Sequence, residues 1–408
     1  MRAQPTRAQR GFSLVELMIA IVLGLLVTDA MVAMFVGVRS ASRTTEGVAG
    51  LSDSGRFALD SIEQVVRGAG NLACDSTAPV AMAGGVQLIR VESDLNAGAS
   101  PLISNYDQPL SGYEAVGTAP GAALTISATP SADTTAGDWV STAALGGVMD
   151  AALINPPVPS GETAPTGALV KGSDVLVVHE TMPGSKPSYT AASASGQSSF
   201  TVSSPTTFAA ANQIGVISNC AQSEVFQVGG FTPATGLVTL TGATGPGNIG
   251  GTLDPNMDFE AGAQVAPVDV SVFYIGVGAD GDGALFRYEG KGGVLGGPLS
   301  SNQELVPDVE NMQILYGVET AASAGTQSAD QYVTADAVAT KSLTGDFNGV
   351  ISVKIALLVA SPPAAVPKGA AVASSPPLLL GDTWALSAAD NRLRKVYEQT
   401  MFLRNMSP

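Results

Sequence analysis

The chain has 408 residues, a formal charge of −16 and a pI near 4.3, with 13% charged and 5% aromatic residues. So acidic a chain, with no visible basic stripe, is a poor fit to nucleic-acid binding, because phosphate contacts need clustered Lys and Arg. Heavy use of Gly, Ala, Ser and Thr fits a loop-rich β protein better than a helical enzyme.

The first predicted element begins behind Arg2, Arg7 and Arg10, where the run from Phe12 to Leu25 reads as membrane-grade apolar sequence. A secretory signal peptide is the generic reading of such a start, but it requires a small-residue cleavage site beyond the run. The exit "LLVTDAMVAMFVGVRS" contains no convincing one. Retained, Phe12 to Val38 is long enough to cross about 30 Å of hydrocarbon at 1.5 Å per residue. The upstream arginines place the N-terminus on the cytoplasmic side and the rest outside; without those three residues the charge becomes −19 by the same count. Glu16 stands near the front of the run, with no basic residue between it and Arg39. A carboxylate in lipid is costly unless partnered, which marks Glu16 as functional. Asp29, toward the outer end, reads as a headgroup-region residue.

No proline interrupts the chain between Phe12 and Pro79, so one helix is expected over 12–70. Phe57, Leu59, Ile62, Val65 and Val66 recur near helical spacing and offer a face to a head domain. Gly68 and Gly70 supply a C-terminal stop. Gly24, Gly37, Gly47, Gly50 and Gly55 are places where the helix is expected to bend or melt.

The remainder, 71–408, reads as a β-rich head with Ala/Gly/Ser/Thr/Pro-rich inserts at about 76–170, 319–331 and 361–378. The first insert is expected to form long surface loops with a few strands. The runs "DVLVVHE", "SFTVSS", "NQIGVISN", "EVFQVGGF", "GLVTLTG", "VDVSVFYIGVG", "ALFRYEG", "NMQILYGVE" and "GVISVKIALLVAS" carry β-branched or aromatic residues bounded by turn formers. "GADGDG" is a hairpin turn, and its Asp280 and Asp282 only weakly resemble a calcium loop, lacking the further acidic series and distal Glu. Cys74 and Cys220 are the only cysteines. In an oxidising compartment such a pair reads as a disulfide, since a metal centre would lack its other ligands. His179, the sole histidine, lies in an apolar strand and reads as a satisfied strand residue. Neither a Ser-His-Asp triad nor a His-rich metal cluster has its parts, and no cofactor is implied.

Gly11, Phe12 and Glu16, in "GFSLVELMIA", resemble the class III signal of type IV prepilins and type II secretion pseudopilins. From about Val175 onward, "LFRYEG", "LVPDVENMQILYGVE", "YVTADAV", "VISVKIALLVAS" and "RLRKVYEQTMFLRN" resemble, in order, the body of minor pilins of the PilW type. The resemblance implies an α+β, pilin-like fold: a leader over 1–11, a helix over 12–70 whose first half spans the membrane to about residue 38, and an antiparallel head. It implies that a prepilin peptidase cuts between Gly11 and Phe12 and methylates Phe12. Glu16 of one subunit then neutralises the Phe12 amine of its neighbour. Such a subunit sits in the inner membrane with its head in the periplasm, joins other minor pilins, the major pilin and the assembly platform, and primes a fibre that reaches the cell surface. It is a candidate for the fibre tip. A J-type secretion pseudopilin and a tip adhesin are the alternatives; no reaction is implied.

Overall fold

The computed structural model describes residues 13–403 with interruptions, the longest at 96–104, 131–136, 142–148, 150–165, 182–187, 293–299 and 366–377. Ser13 opens α1, Leu14–Val66, an unbroken helix of 53 residues, or about 80 Å at 1.5 Å per residue. Its end matches the glycine-marked stop: the Arg67 N–H bonds the Glu63 carbonyl at 2.9 Å, and Gly70 takes a φ of 74° that turns the chain away.

The two halves of α1 live in different surroundings. In its apolar half an 18-residue window reaches a mean hydropathy of 2.5, and none of it is buried against the head. Burial starts at Gly47 and continues through Leu51, Gly55, Ala58, Leu59, Ile62, Val65 and Val66, the spacing of one helical face. Phe57 departs from the expected face and is 57% exposed, because two residues beyond Gly55 is about 200° around the helix. Nor do the glycines break α1. Gly24, Gly37 and Gly50 have open space where a Cβ would stand, whereas Gly47 and Gly55 are places where the head comes too close for a side chain.

All nine strand-like runs form strands. In chain order the labelled strands are β1 Leu110–Ala115, β2 Ala123–Ile126, β3 Trp139–Val140, β4 Val175–Thr181, β5 Ser199–Thr201, β6 Ile214–Ser218, β7 Ser223–Thr232 and β8 Leu237–Leu240. They continue with β9 Gln264–Val277, β10 Gly283–Gly290, β11 Ser300–Pro307, β12 Val309–Val318, β13 Gln331–Val333, β14 Val350–Ala360, β15 Thr383–Leu386 and β16 Arg394–Phe402. A large sheet runs β5-β8-β7-β6-β9-β4-β1-β3, with β10 and then β11 added beside β9. These neighbours pair antiparallel. A second, four-stranded antiparallel sheet runs β13-β12-β14-β16, and β2 with β15 forms a small parallel pair.

The main core lies where α1 meets both sheets. Ile62 and Val66 of the helix share it with Leu176 and Val178 of β4, Phe273 of β9, Ile314 of β12, Ile355 of β14 and Met401 of β16. Val175 and Val177, the alternate residues of β4, face a second core with Tyr113, Trp139 and Tyr274. Burial on both faces is why "DVLVV" reads as a continuous apolar run. A third cluster of Phe200, Phe208, Phe226 and Phe259 fills the region of β5 to β8. The segment expected as surface loops between 76 and 170 is more than that: β1 is buried along its whole length, and Trp139 is 1% exposed. Its "LSGYEA" carries the polar Ser111 and Glu114, which mask the strand signal.

Candidate assembly site

Glu16 lies in the first turn of α1, exposed, among Leu14, Val15, Leu17 and Met18, which are all more than half exposed. A carboxylate there faces the positive end of the helix macrodipole. Gly11 and Phe12, on which cleavage and methylation were placed, lie outside the described residues, as do Cys74 and Cys220. Asp29 sits exposed near the middle of the free half of the helix.

Contacts at four positions along α1 fix how far it projects. The Thr44 hydroxyl donates to the Ala365 carbonyl at 3.0 Å, and a Cβ on Gly47 would stand 2.9 Å from that of Ala365. Gly55 accommodates the ring of Tyr397, and the Gln399 amide donates to Glu63 Oε2 at 2.7 Å. Residues 14–43 carry no such anchor among the described residues and stand clear of the head as an apolar rod.

Two arginines near the C-terminus organise the acidic groups of the hairpin. Asp280, Asp282 and Asp308 each bring a carboxylate oxygen within 4.8 Å of the others. Arg392 donates to two of them, through Nη1 to Asp282 at 2.8 Å and through Nη2 to Asp308. The positive charge that a cation would supply is therefore already provided by the chain, and the β9–β10 connection behaves as a turn: the Gly278 N–H bonds the Asp282 carbonyl at 2.7 Å. Arg394, 3% exposed, makes a two-pronged bond to Glu310 at 2.6 and 2.8 Å and reaches Asp390 at 2.5 Å. Burial pushes the Asp308 and Glu310 carboxyls upward against the pull of these arginines. The hydrogen bonds from Arg394 hold Asp390 below the usual carboxylate range. Sequence reading missed this network. Its one visible signal is "RLR", two arginines two apart at the entry to β16.

His179 is 1% exposed, its Nδ1 lies 2.8 Å from the Gln108 carbonyl oxygen, and its ring sits 4.4 Å from that of Tyr106. It is a satisfied strand residue, as its surroundings in sequence suggested.

A long exposed apolar helix on an antiparallel β head defines a pilin-like α+β protein. Residues 272–405 match the family described as Type IV Pilus-assembly protein W, and residues 6–28 match the prokaryotic N-terminal methylation motif. With these matches at its two ends, the chain is similar to PilW-like type IV pilins over those segments. The matched body begins within β9, about a hundred residues later than the resemblance read from Val175. No curated protein and no solved structure matches the chain.

Proposed function

We propose that the protein is a minor pilin, a structural subunit of the inner-membrane complex that primes type IV pilus assembly, and a candidate for the fibre tip. The observation that carries this reading is Glu16, an exposed carboxylate on the apolar half of α1, which no contact among the described residues ties to the head, within the segment matching the methylation motif. An exposed apolar face needs either lipid or other subunits to cover it. Lipid covers it before assembly, with the N-terminus cytoplasmic and the head periplasmic; the helices of other minor pilins and the major pilin cover it afterwards. Prepilin peptidase cuts between Gly11 and Phe12 and methylates Phe12, and Glu16 then meets the Phe12 amine of a neighbour. A disulfide between Cys74 and Cys220 ties the start of the head to the loop between β6 and β7. The protein performs no reaction itself.

Deletion of the gene, with sheared surface pili counted and protein secretion assayed in parallel, tests the reading. Loss of pili with secretion intact supports it. Loss of secretion with pili intact assigns the protein to a type II secretion system, and intact pili with reduced adhesion assign it to a tip adhesin.

A further inference from the structure

From Leu17 to Val38 the only charged residue of α1 is Asp29. It stands nine residues before Val38, about 14 Å at 1.5 Å per residue, and so well inside the stretch long enough to cross the membrane. Its side chain is exposed, with no ion pair or hydrogen bond among the described residues. A carboxylate in such a place needs a partner once lipid or other helices cover the rod. The nearest basic residues of the helix are Arg39 and Arg43, both exposed and both clear of the head.

These charges are spaced regularly. Asp29 and Arg43 are fourteen residues apart, and so are Arg39 and Asp53. Fourteen residues are two heptads, a rise of about 21 Å and about 40° short of four full turns, so each pair lies on one gently drifting line along α1. The line through Asp29 and Arg43 continues to Gly50, and the line through Arg39 and Asp53 passes Glu46 and ends at Asp60. All of the charged residues on both lines are exposed.

Sliding one copy of the helix by ten residues, about 15 Å, along a parallel second copy sets the two lines level. Asp29 then stands beside Arg39, and Arg43 beside Asp53. The neutral Val36 and Gly50 fall opposite Glu46 and Asp60, so no like charges meet on the two lines. Gly50 has nothing within 4 Å of the place where its Cβ would be, which leaves room for a second helix to come close. Beside the lines, the same offset brings Glu46 level with Arg56. The one like pair that it brings level is Asp53 with Glu63, and Glu63 already binds Arg67 and Gln399.

We propose that α1 docks against a second copy of this chain, parallel and offset by ten residues, with Asp29 of one copy paired to Arg39 of the other and Arg43 to Asp53. A second copy is the partner because two lines of one helix match each other, equal in spacing and reversed in sign. The proposal rests on the reading of α1 as a rod that other subunits cover, and it names the subunit that covers this face. Two copies at one depth in a bilayer have no such offset, so the contact forms as subunits leave the bilayer in succession. Glu16 and the Phe12 amine are only four residues apart, about 6 Å, so the neighbour that meets Glu16 is a different subunit.

The test uses two full-length copies with different tags made in one cell, the second carrying Arg39→Lys. Membranes and sheared fibres are treated with a zero-length carbodiimide, which joins a carboxylate to an amine only where they touch. Peptide mapping of the doubly tagged product should find Asp29 of the first copy joined to Lys at position 39 of the second. These positions stand about 15 Å apart within one helix, so the linked peptide joins two copies. It should disappear when the first copy carries Asp29→Asn. The second pair is read outside the apolar stretch: Arg43→Asp in both copies should lower co-purification of the two tags severalfold, and adding Asp53→Arg to both should restore it. Absence of the linked peptide, or co-purification that the reversal leaves unchanged, overturns the docking. Contact between copies is read here without pilus counts or secretion, so failure of the docking leaves the minor-pilin reading standing, and failure of that reading leaves the docking decided.

Discussion

The ring of Tyr397 lies against the Cα of Gly55, closer than any side chain would permit. Five residues earlier in the same helix, Gly50 has nothing within 4 Å of the place where its Cβ would be. The same substitution therefore has opposite signs at the two positions. Gly50→Ala should stabilise by up to about 1 kcal/mol through helix propensity. Gly55→Ala should destabilise by about 1–3 kcal/mol through overpacking and loosen the helix from the head. Thermal unfolding of the detergent-solubilised chain checks both, and equal shifts of the same sign would refute the account of helix docking.

Arg394→Met should destabilise the head by about 3–5 kcal/mol, because it leaves Glu310 buried without its partner. Exchanging both residues together, Arg394→Met with Glu310→Met, should recover a large part of that loss. A denaturant-unfolding cycle over the four variants measures the coupling; additive effects would mean that the pair is not the source.

Since Arg392 already pairs with Asp282 and Asp308, millimolar calcium and a chelator should give the same melting temperature for the wild type. Arg392→Ala should lower it. A calcium-induced rise in the wild type would show that the aspartates bind metal after all.

Gly11→Val should leave the leader attached, because a β-branched side chain at the cleavage position hinders approach of the peptidase to the peptide bond. Intact-mass spectrometry of membrane fractions reads the outcome, and a methylated Phe12 N-terminus in this variant contradicts the assignment.

Glu16→Ala should be processed normally yet fail to restore pili to a deletion strain. Full restoration, measured by sheared-pilus counts against the wild-type gene, would remove charge pairing from the assembly step.

Cys74 and Cys220 should be recovered as one disulfide-linked peptide pair in non-reducing maps of protein from an oxidising compartment. Closing a loop of about 146 residues restrains the unfolded chain by about 4–5 kcal/mol on the entropy model. Two alkylatable thiols would refute the bond.

The elements that the sequence made legible share one property: their burial is decided locally. α1 is visible because it is apolar over its first half and free of proline, and β4, β9 and β14 because both of their faces are buried and the run stays mostly apolar. β1 was hidden for the opposite reason. Ser111 and Glu114 interrupt its apolar pattern, and Asp174, which accepts the Ala115 N–H from 59 residues away, lies outside any local window. The glycines of α1 mislead in a similar way. Propensity alone makes Gly55 a weakness in a helix, and only the position of Tyr397, more than three hundred residues away, turns it into a docking notch. Glu16 is the reverse case: its role is read almost wholly from sequence, because its proposed partner belongs to another subunit.

The order of the contacts along α1 has a mechanical meaning. Ala365 meets the helix at Thr44 and Gly47, Tyr397 at Gly55 and Gln399 at Glu63, so β16 and the helix run in the same sense. A tensile load entering through the apolar rod would pull along the strands rather than across them. It would pass from β16 into β14 through nine consecutive residue pairs, from Ser352 with Phe402 to Ala360 with Arg394. Hydrogen bonds arranged in this way share a shearing force and break together rather than one after another. A pull on α1 would therefore reach the head along its strands.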